Sequence, residues 1–420
     1  MSFQQGLSGL NASSKNLEII GNNIANANTF GAKVSRAEFA DVYAAALNGA
    51  GANSIGIGTN MASVAQQFTQ GAITTSDNPM DLAINGAGFF QMTDGKSPVT
   101  YSRNGQFKVD RDGYIVNAFG KQLMGYAADG LGVIQPGQAV PLQLPTAGVS
   151  PKPTGRMDIE MNLDSRQGIT VPVAGAVIDF NDAATYNNAT SLTLYDAKGQ
   201  EVALTYYFQK AATDTWNVFA TANGTSVLGV PGAPDPIGTI VFAADGSAPT
   251  SPIGPITFTV PAGVNSAGAD TLELPNIILN TGGATQFGSA FSVTDLRQDG
   301  FSSGQLVALA IENNGIVTAR YSNGQSRPAG QIEIATFRNP QGLQPSGNNQ
   351  WARTFASGDP VTGVPGDGNL GVLQSGALEE SNVDLTGELV NMITAQRIYQ
   401  ANAQTIKAQD QVLQTLVNLR

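Results

Sequence analysis

The chain of 420 residues contains no cysteine and no histidine. Without cysteine there is no disulfide, no thiolate nucleophile and no thiolate metal site. Without histidine there is no Ser-His-Asp triad and no imidazole ligand, so most zinc chemistry goes as well. Charge is scarce too: Asp, Glu, Lys and Arg make up 13% of the residues, and the net charge is −11. An acidic chain with no basic cluster argues against nucleic acid and against an anionic membrane surface as partners. No apolar run approaches the roughly 20 residues that a spanning helix needs, so no membrane insertion is expected. The opening MSFQQGLSGL has neither the basic start nor the apolar core of a signal peptide, so no ordinary cleaved leader is expected.

Glycine, at 49 residues, is abundant, and the 41% hydrophobic content is enough to bury real cores. Length suggests about three domains. The abundance of Gly, Thr, Ser and Asn points to many short strands and turns.

Both ends read as helices. Leu385, Met392, Tyr399, Ile406 and Leu413 recur every seven residues, the spacing of a coiled-coil seam. The line beside them carries Leu389 and Val417 but is interrupted by Gln396, Ala403 and Asp410. Glu380, Asp384 and Glu388 lie near the start of this helix and Arg420 at its end, as the helix dipole favours. At the other end, Phe3, Leu10, Leu17 and Ile24 keep the same spacing, with Leu7 and Ile20 beside them. Gly6, Gly9 and Gly21 weaken this helix by about 1 kcal/mol each relative to Ala. Spacing alone leaves open whether the two helices close one chain or assemble several.

Between the ends the pattern is β. Residues 44–70, around NGAGANSIGIG, read as an irregular linker. Hairpin turns are expected at Asp112-Gly113 and at Asp196–Gly199, the latter joining Leu192 and Leu194 to Val202, Leu204, Tyr206 and Phe208. Trp216, Val218 and Ala220 supply a further strand, and Gly238–Ala243 and Ile256–Val260 read as two more. The Pro-rich stretch 131–157 marks entry into an inserted domain. Asn-Gly pairs at Asn85, Asn104, Asn223, Asn314 and Asn323 suggest type I′ turns. The carboxylates Asp81, Asp110, Asp112, Asp295, Asp299, Glu312 and Glu333 could in principle form a catalytic pair. Without a recognisable motif they read better as strand ends and turns. The row Tyr206, Tyr207, Phe208, Trp216 and Phe219 reads as a packed sheet face in preference to a ligand groove.

Three stretches carry a family resemblance. IIGNNIANANTFGAK (Ile19–Lys33) includes Asn22, Asn23, Asn26, Asn28 and Gly31. NPMDLAINGAGFF includes Asn78, Pro79, Asp81, Gly86, Gly88 and Phe89. Ser381, Asn382, Val383 and Asp384 introduce the closing helix. Together with YSRNGQF and MITAQRIYQANAQTIKAQD, they resemble the bacterial flagellar axial proteins, and among them the hook proteins, over nearly the whole chain except 221–283.

The resemblance implies an α+β, mainly β chain of nested domains. Residues 1–30 with 380–420 would form a coiled-coil-like inner domain, and 31–70 with 361–379 a linker region. Residues 71–145 with 285–360 would form a β domain, and 146–284 an inserted outermost β domain. It implies a structural subunit and no enzyme, with no cofactor and no metal. The subunit would polymerise with itself into a hollow, flexible tube, the two heptad lines being the self-assembly interface. Its partners would be the distal rod protein, the hook cap, the hook-length control protein, the hook–filament junction protein and the flagellar type III export apparatus, with the hook lying outside the cell. A distal rod protein, which should lack so large an insert, and a secreted β-rich adhesin are the other readings.

Overall fold

The computed structural model describes residues 2–42, 56–130, 132–170, 178–230, 232–252 and 254–418, with helix side chains described from Phe3 to Thr415. The centre of the linker expected at 44–70, the side chain of Val417, and Arg420 therefore lie outside the described residues. By contacts the chain divides into two compact units, 1–146 with 308–320 and 326–420, and 147–307 with 321–325.

In the first unit, α1 (Ser2–Ala25) and α2 (Leu385–Asn418) form the expected terminal helices. Asp384 caps α2: its Oδ1 accepts from the backbone N–H of Thr386 at 3.0 Å, and its carbonyl from that of Glu388 at 2.9 Å. Glu388 then sits in the first turn, where the helix dipole favours a negative charge.

The linker region expected at 31–70, read as irregular over 44–70, carries a hairpin instead. Ser35–Val42 pairs antiparallel with Gly58–Gln66, with a bulge at Glu38/Phe39. A two-stranded ribbon is marginal by itself, and this one is backed by α1. Gln5 donates to the Gly56 carbonyl, and the Thr59 N–H donates to Ser8 Oγ. Gly58 has φ 139°, and a β-carbon there would overlap Ser8 Oγ, so the contact needs glycine.

The main sheet interleaves the two halves of the chain. Phe89–Thr93 pairs with Ile334–Thr336, and Thr100–Ser102 pairs with Gln350–Ala352. The expected linker 361–379 is corrected as well. Val361–Gly363, Val372–Ser375 and Ala377–Glu379 are all strands, pairing with Ile334–Thr336, Leu82–Asn85 and Ile73–Thr75. Phe89, Tyr101, Phe337 and Trp351 pack edge to face beneath this sheet, with Phe68 against Phe89 and Trp351.

The second unit holds a six-stranded and a four-stranded sheet over one core. The hairpin Asn188–Tyr195 and Glu201–Ala212 is where alternation places it, and Val202, Leu204, Tyr206 and Phe208 all point inward. The four-stranded sheet runs Ile256–Val260, Leu274–Asn280, Arg156–Asn162, Ser292–Gln298. Residues 285–307, expected with the inner β domain, thus belong to the second unit. Ser292–Gln298 pairs antiparallel with Met157–Asn162, a long-range partnership that local pattern does not reveal.

Among the Asn-Gly pairs at Asn85, Asn104, Asn223, Asn314 and Asn323, only Asn223-Gly224 has positive φ at both residues (51° and 83°), as a type I′ turn requires. At Asn104, Asn314 and Asn323 the side-chain oxygen instead accepts from the backbone N–H two residues on. This is an Asx turn, which leaves the Asn itself at negative φ.

Candidate assembly surface and the junction that seats it

The helices α1 and α2 run antiparallel, with Gly6 facing Ile406 and Gly9 facing Asn402. The seam between them is not the expected apolar line. On α1 the buried residues are Gly6, Ser13, Ile20 and Asn23. On α2 Ala395 is buried, and Asn402, Ile406 and Gln409 are half-buried. Small side chains let the two backbones come close, which a row of leucines would prevent.

Apart from Ile20 and Ile406, the expected seam residues are rotated off this contact. On α1, Phe3 and Leu7 are exposed and Leu10, Leu17 and Ile24 half-buried, and of that set only Ile20 is fully buried. On α2, Leu385, Leu389, Tyr399 and Leu413 are exposed, Leu413 by 54%, and Met392 and Ile406 are half-buried. Val390, Ile393, Ile398 and Val412, unremarked in the sequence, are exposed beside them. The chain therefore closes on itself mostly through small and polar residues, with Ile20 and Ile406, and presents apolar stripes outward.

The resemblance residues do a different job: they seat the helices on the β body. Asn23 is buried and holds residue 35 through both of its amide atoms, Nδ2 donating to the Ser35 carbonyl and Oδ1 accepting from the Ser35 N–H. Asn382 accepts from the Val34 N–H and donates to the carbonyls of Gln67 and Thr69. Gly31 has φ 71°, donates its N–H to the Glu379 carbonyl, and leaves no room for a β-carbon against the Asn104 backbone.

Asn22 and Asn26 bond to each other across the end of α1, while Asn28 is exposed. Asn78 and Asp81 close a turn with Ser76, and the Pro79 carbonyl accepts from Ser375. Gly86 (φ 114°) approaches Gly371, Gly88 (φ 138°) approaches Ile334, and Phe89 is buried in the aromatic cluster. Ser381 Oγ accepts from the Val383 N–H, and Val383 lines a cleft of about 250 Å³ with the asparagines of α1.

Sequence reasoning missed the charges beneath this junction. Lys33 Nζ lies 2.6 Å from Glu379 Oε1, and Arg103 Nη1 lies 3.1 Å from Glu379 Oε2, all three side chains being buried. Burial pushes the Lys33 ammonium below its ordinary range against the pull of Glu379, and it does the same to the Arg103 guanidinium.

The seven carboxylates do not converge. Asp81, Asp110, Asp295, Asp299 and Glu333 each have separate partners, such as Arg297 for Asp295, Lys152 for Asp299, and Gln91 and Tyr126 for Glu333. In the aromatic row, Tyr206, Phe208 and Trp216 are core, and Tyr207 packs on Phe180 and Tyr186.

Comparison with known proteins matches this layout in chain order. Residues 3–33 match the family model described as flagella basal body rod protein, and 83–183 the flagellar hook protein FlgE/F/G D1 domain. Residues 162–301 match the flagellar basal body protein FlaE D2 domain, and 374–419 the flagellar basal body rod FlgEFG protein C-terminal model. The flagellar hook protein FlgE of Salmonella typhimurium is 40% identical over 422 residues, and that of Escherichia coli K12 39% over 428, each covering 100% of both chains. The crystal structure of the Helicobacter pylori flagellar hook protein FlgE2 covers 73% of this chain and 99% of its own, with a TM-score of 0.52 at 15% identity, a likeness of fold. Two terminal helices on a mainly β body and full-length identity of 40% place this chain in the flagellar hook protein FlgE family, whose members are structural components of the bacterial flagellum and not enzymes.

Proposed function

We propose that this subunit polymerises with many copies of itself into a hollow, flexible tube, the hook, which acts as a universal joint passing torque from rod to filament. The observation that carries this reading is the outward turn of the apolar stripes on α1 and α2. A helix pair closed mainly by glycine, serine, asparagine and alanine, with Ile20 and Ile406, buries little apolar area, yet each exposed Leu, Ile or Phe is worth up to roughly 1.5–3 kcal/mol once covered. Neighbouring copies supply that cover. The self-assembly interface is then Phe3, Leu7, Leu10, Leu17 and Ile24 on α1 with Leu385, Leu389, Met392, Tyr399, Ile406, Leu413 and Val417 on α2, and Ile20 serves closure within the chain.

Two layers follow within the first unit: the arms 1–30 and 380–420 as the inner wall, and the hairpin and β body to residue 379 around it. A surface rich in Gly, Thr, Ser and Asn, with few charges, lets copies slide without breaking strong pairs. Export through the flagellar type III apparatus delivers the subunit to an extracellular hook. There it meets the distal rod protein, the hook cap protein, the hook-length control protein and the hook–filament junction protein. Electron microscopy of concentrated protein tests the reading: curved tubes support it, and a solution that stays monomeric at every concentration and salt condition refutes it.

A further inference from the structure

Among the described residues, Glu379 is the single carboxylate between two buried cations that come from different parts of the chain. Lys33 lies just past α1, Arg103 in the β body, and Glu379 just before α2. Glu379 Oε1 takes Lys33 Nζ at 2.6 Å and the Gly71 N–H at 2.9 Å, and Oε2 takes Arg103 Nη1 at 3.1 Å. The surplus positive charge is solvated by dipoles. Lys33 also donates to the Thr69 carbonyl and Arg103 to those of Ile84 and Gly86, while the guanidinium stands 5.3 Å above the Phe89 ring. The backbone repeats the link, since the Gly31 N–H donates to the Glu379 carbonyl at 2.8 Å.

We propose that Glu379 is a clasp, a positioning residue that fixes the segments leaving α1 and entering α2 on the β body, so that both arms are presented at one set angle. The inference rests on the reading of the arms as assembly surfaces only for its consequence in the tube. Removing this carboxylate strands two cations out of water, and the least costly relief is for the junction to part and let water in. Removing Lys33 has the opposite character, because it leaves a neutral Arg103–Glu379 pair. Glu379→Asp keeps the charge but shortens the reach to two partners on opposite sides.

Amide hydrogen exchange on the full-length monomer tests this at Gly31, Val34, Gly71 and Glu380, whose N–H groups are all bonded across the junction. Glu379→Gln is expected to speed exchange there by about a hundredfold or more, as the breaking of a buried pair implies, with amides of the second unit unchanged. Glu379→Asp should fall between, and Lys33→Met should stay within about threefold of wild type. Should Glu379→Gln not fold, the order of Glu379→Asp above Lys33→Met still decides. Wild-type exchange in Glu379→Gln, or a Lys33→Met junction as open as that of Glu379→Asp, overturns the clasp. Tubes from Glu379→Asp with wild-type curvature overturn its role in setting the angle of the arms. Absence of tubes from the wild-type protein itself falls on the assembly reading, and exchange alone then judges the clasp.

Discussion

Gly9 of α1 lies so close to Asn402 of α2 that a β-carbon on residue 9 would stand 2.8 Å from the Asn402 amide nitrogen. Gly21 of the same helix has open space around it. Both glycines weaken an isolated helix equally, by about 1 kcal/mol relative to Ala, so the two substitutions should differ only through their surroundings. Gly21→Ala should raise helicity and slow exchange along α1. Gly9→Ala must turn the Asn402 side chain out of the seam, so it should give less of that gain than Gly21→Ala. Circular dichroism with exchange on the monomer reads both.

Capping gives a second prediction. Asp384→Ala removes the side-chain acceptor for the Thr386 N–H and the negative charge ahead of α2, and should cost about 1 kcal/mol of helix stability. Exchange in residues 385–389 reports it, and Asp384→Asn should restore most of the loss.

These two helices show how far the sequence was legible. Their existence and ends follow from seven-residue spacing and from Asp384, both local signals. The contact between them does not, because glycine, serine, asparagine and alanine carry no hydrophobic signal, and the visible apolar line lay one step round each helix. The same contrast holds elsewhere. The Leu192–Phe208 hairpin alternates within one short stretch and could be read directly. The clasp joins residues 346 and 276 positions apart, and nothing local marks Lys33, Arg103 or Glu379 as partners. The insert's far edge was misplaced for the same reason, since Ser292–Gln298 finds its partner more than a hundred residues earlier.

The core of the second unit should respond independently of the first. Trp216 is fully buried, with Nε1 donating to Gln286 Oε1 at 3.0 Å. Trp216→Ala should destabilise that unit by about 3–5 kcal/mol. Calorimetry should show its transition fall, while exchange at the Phe89 and Trp351 amides of the first unit stays as in wild type.

Alkaline pH tests the first unit's interior. Burial, followed by the hydrogen bond and negative charge of Glu333, raises the Tyr126 hydroxyl from 10.0 to about 12. A tyrosine raised in the folded state contributes stability that is complete below pH 10 and is lost as pH rises through about 12. The stability difference between wild type and Tyr126→Phe should therefore be constant up to pH 10 and shrink above it. A difference that grows with alkalinity would contradict the assignment.

The central claim is that the apolar stripes turned away from the α1–α2 seam are what neighbouring copies bury. Leu389 and Leu413, exposed by 46% and 54% in the single chain, offer the cleanest substitution because closure within the chain does not need them. Electron microscopy of concentrated Leu389→Asp/Leu413→Asp protein, beside its calorimetric melting, is the most direct measurement. The account predicts no tubes, with the melting of both β units unchanged. Tubes of wild-type length and abundance from this variant would contradict it.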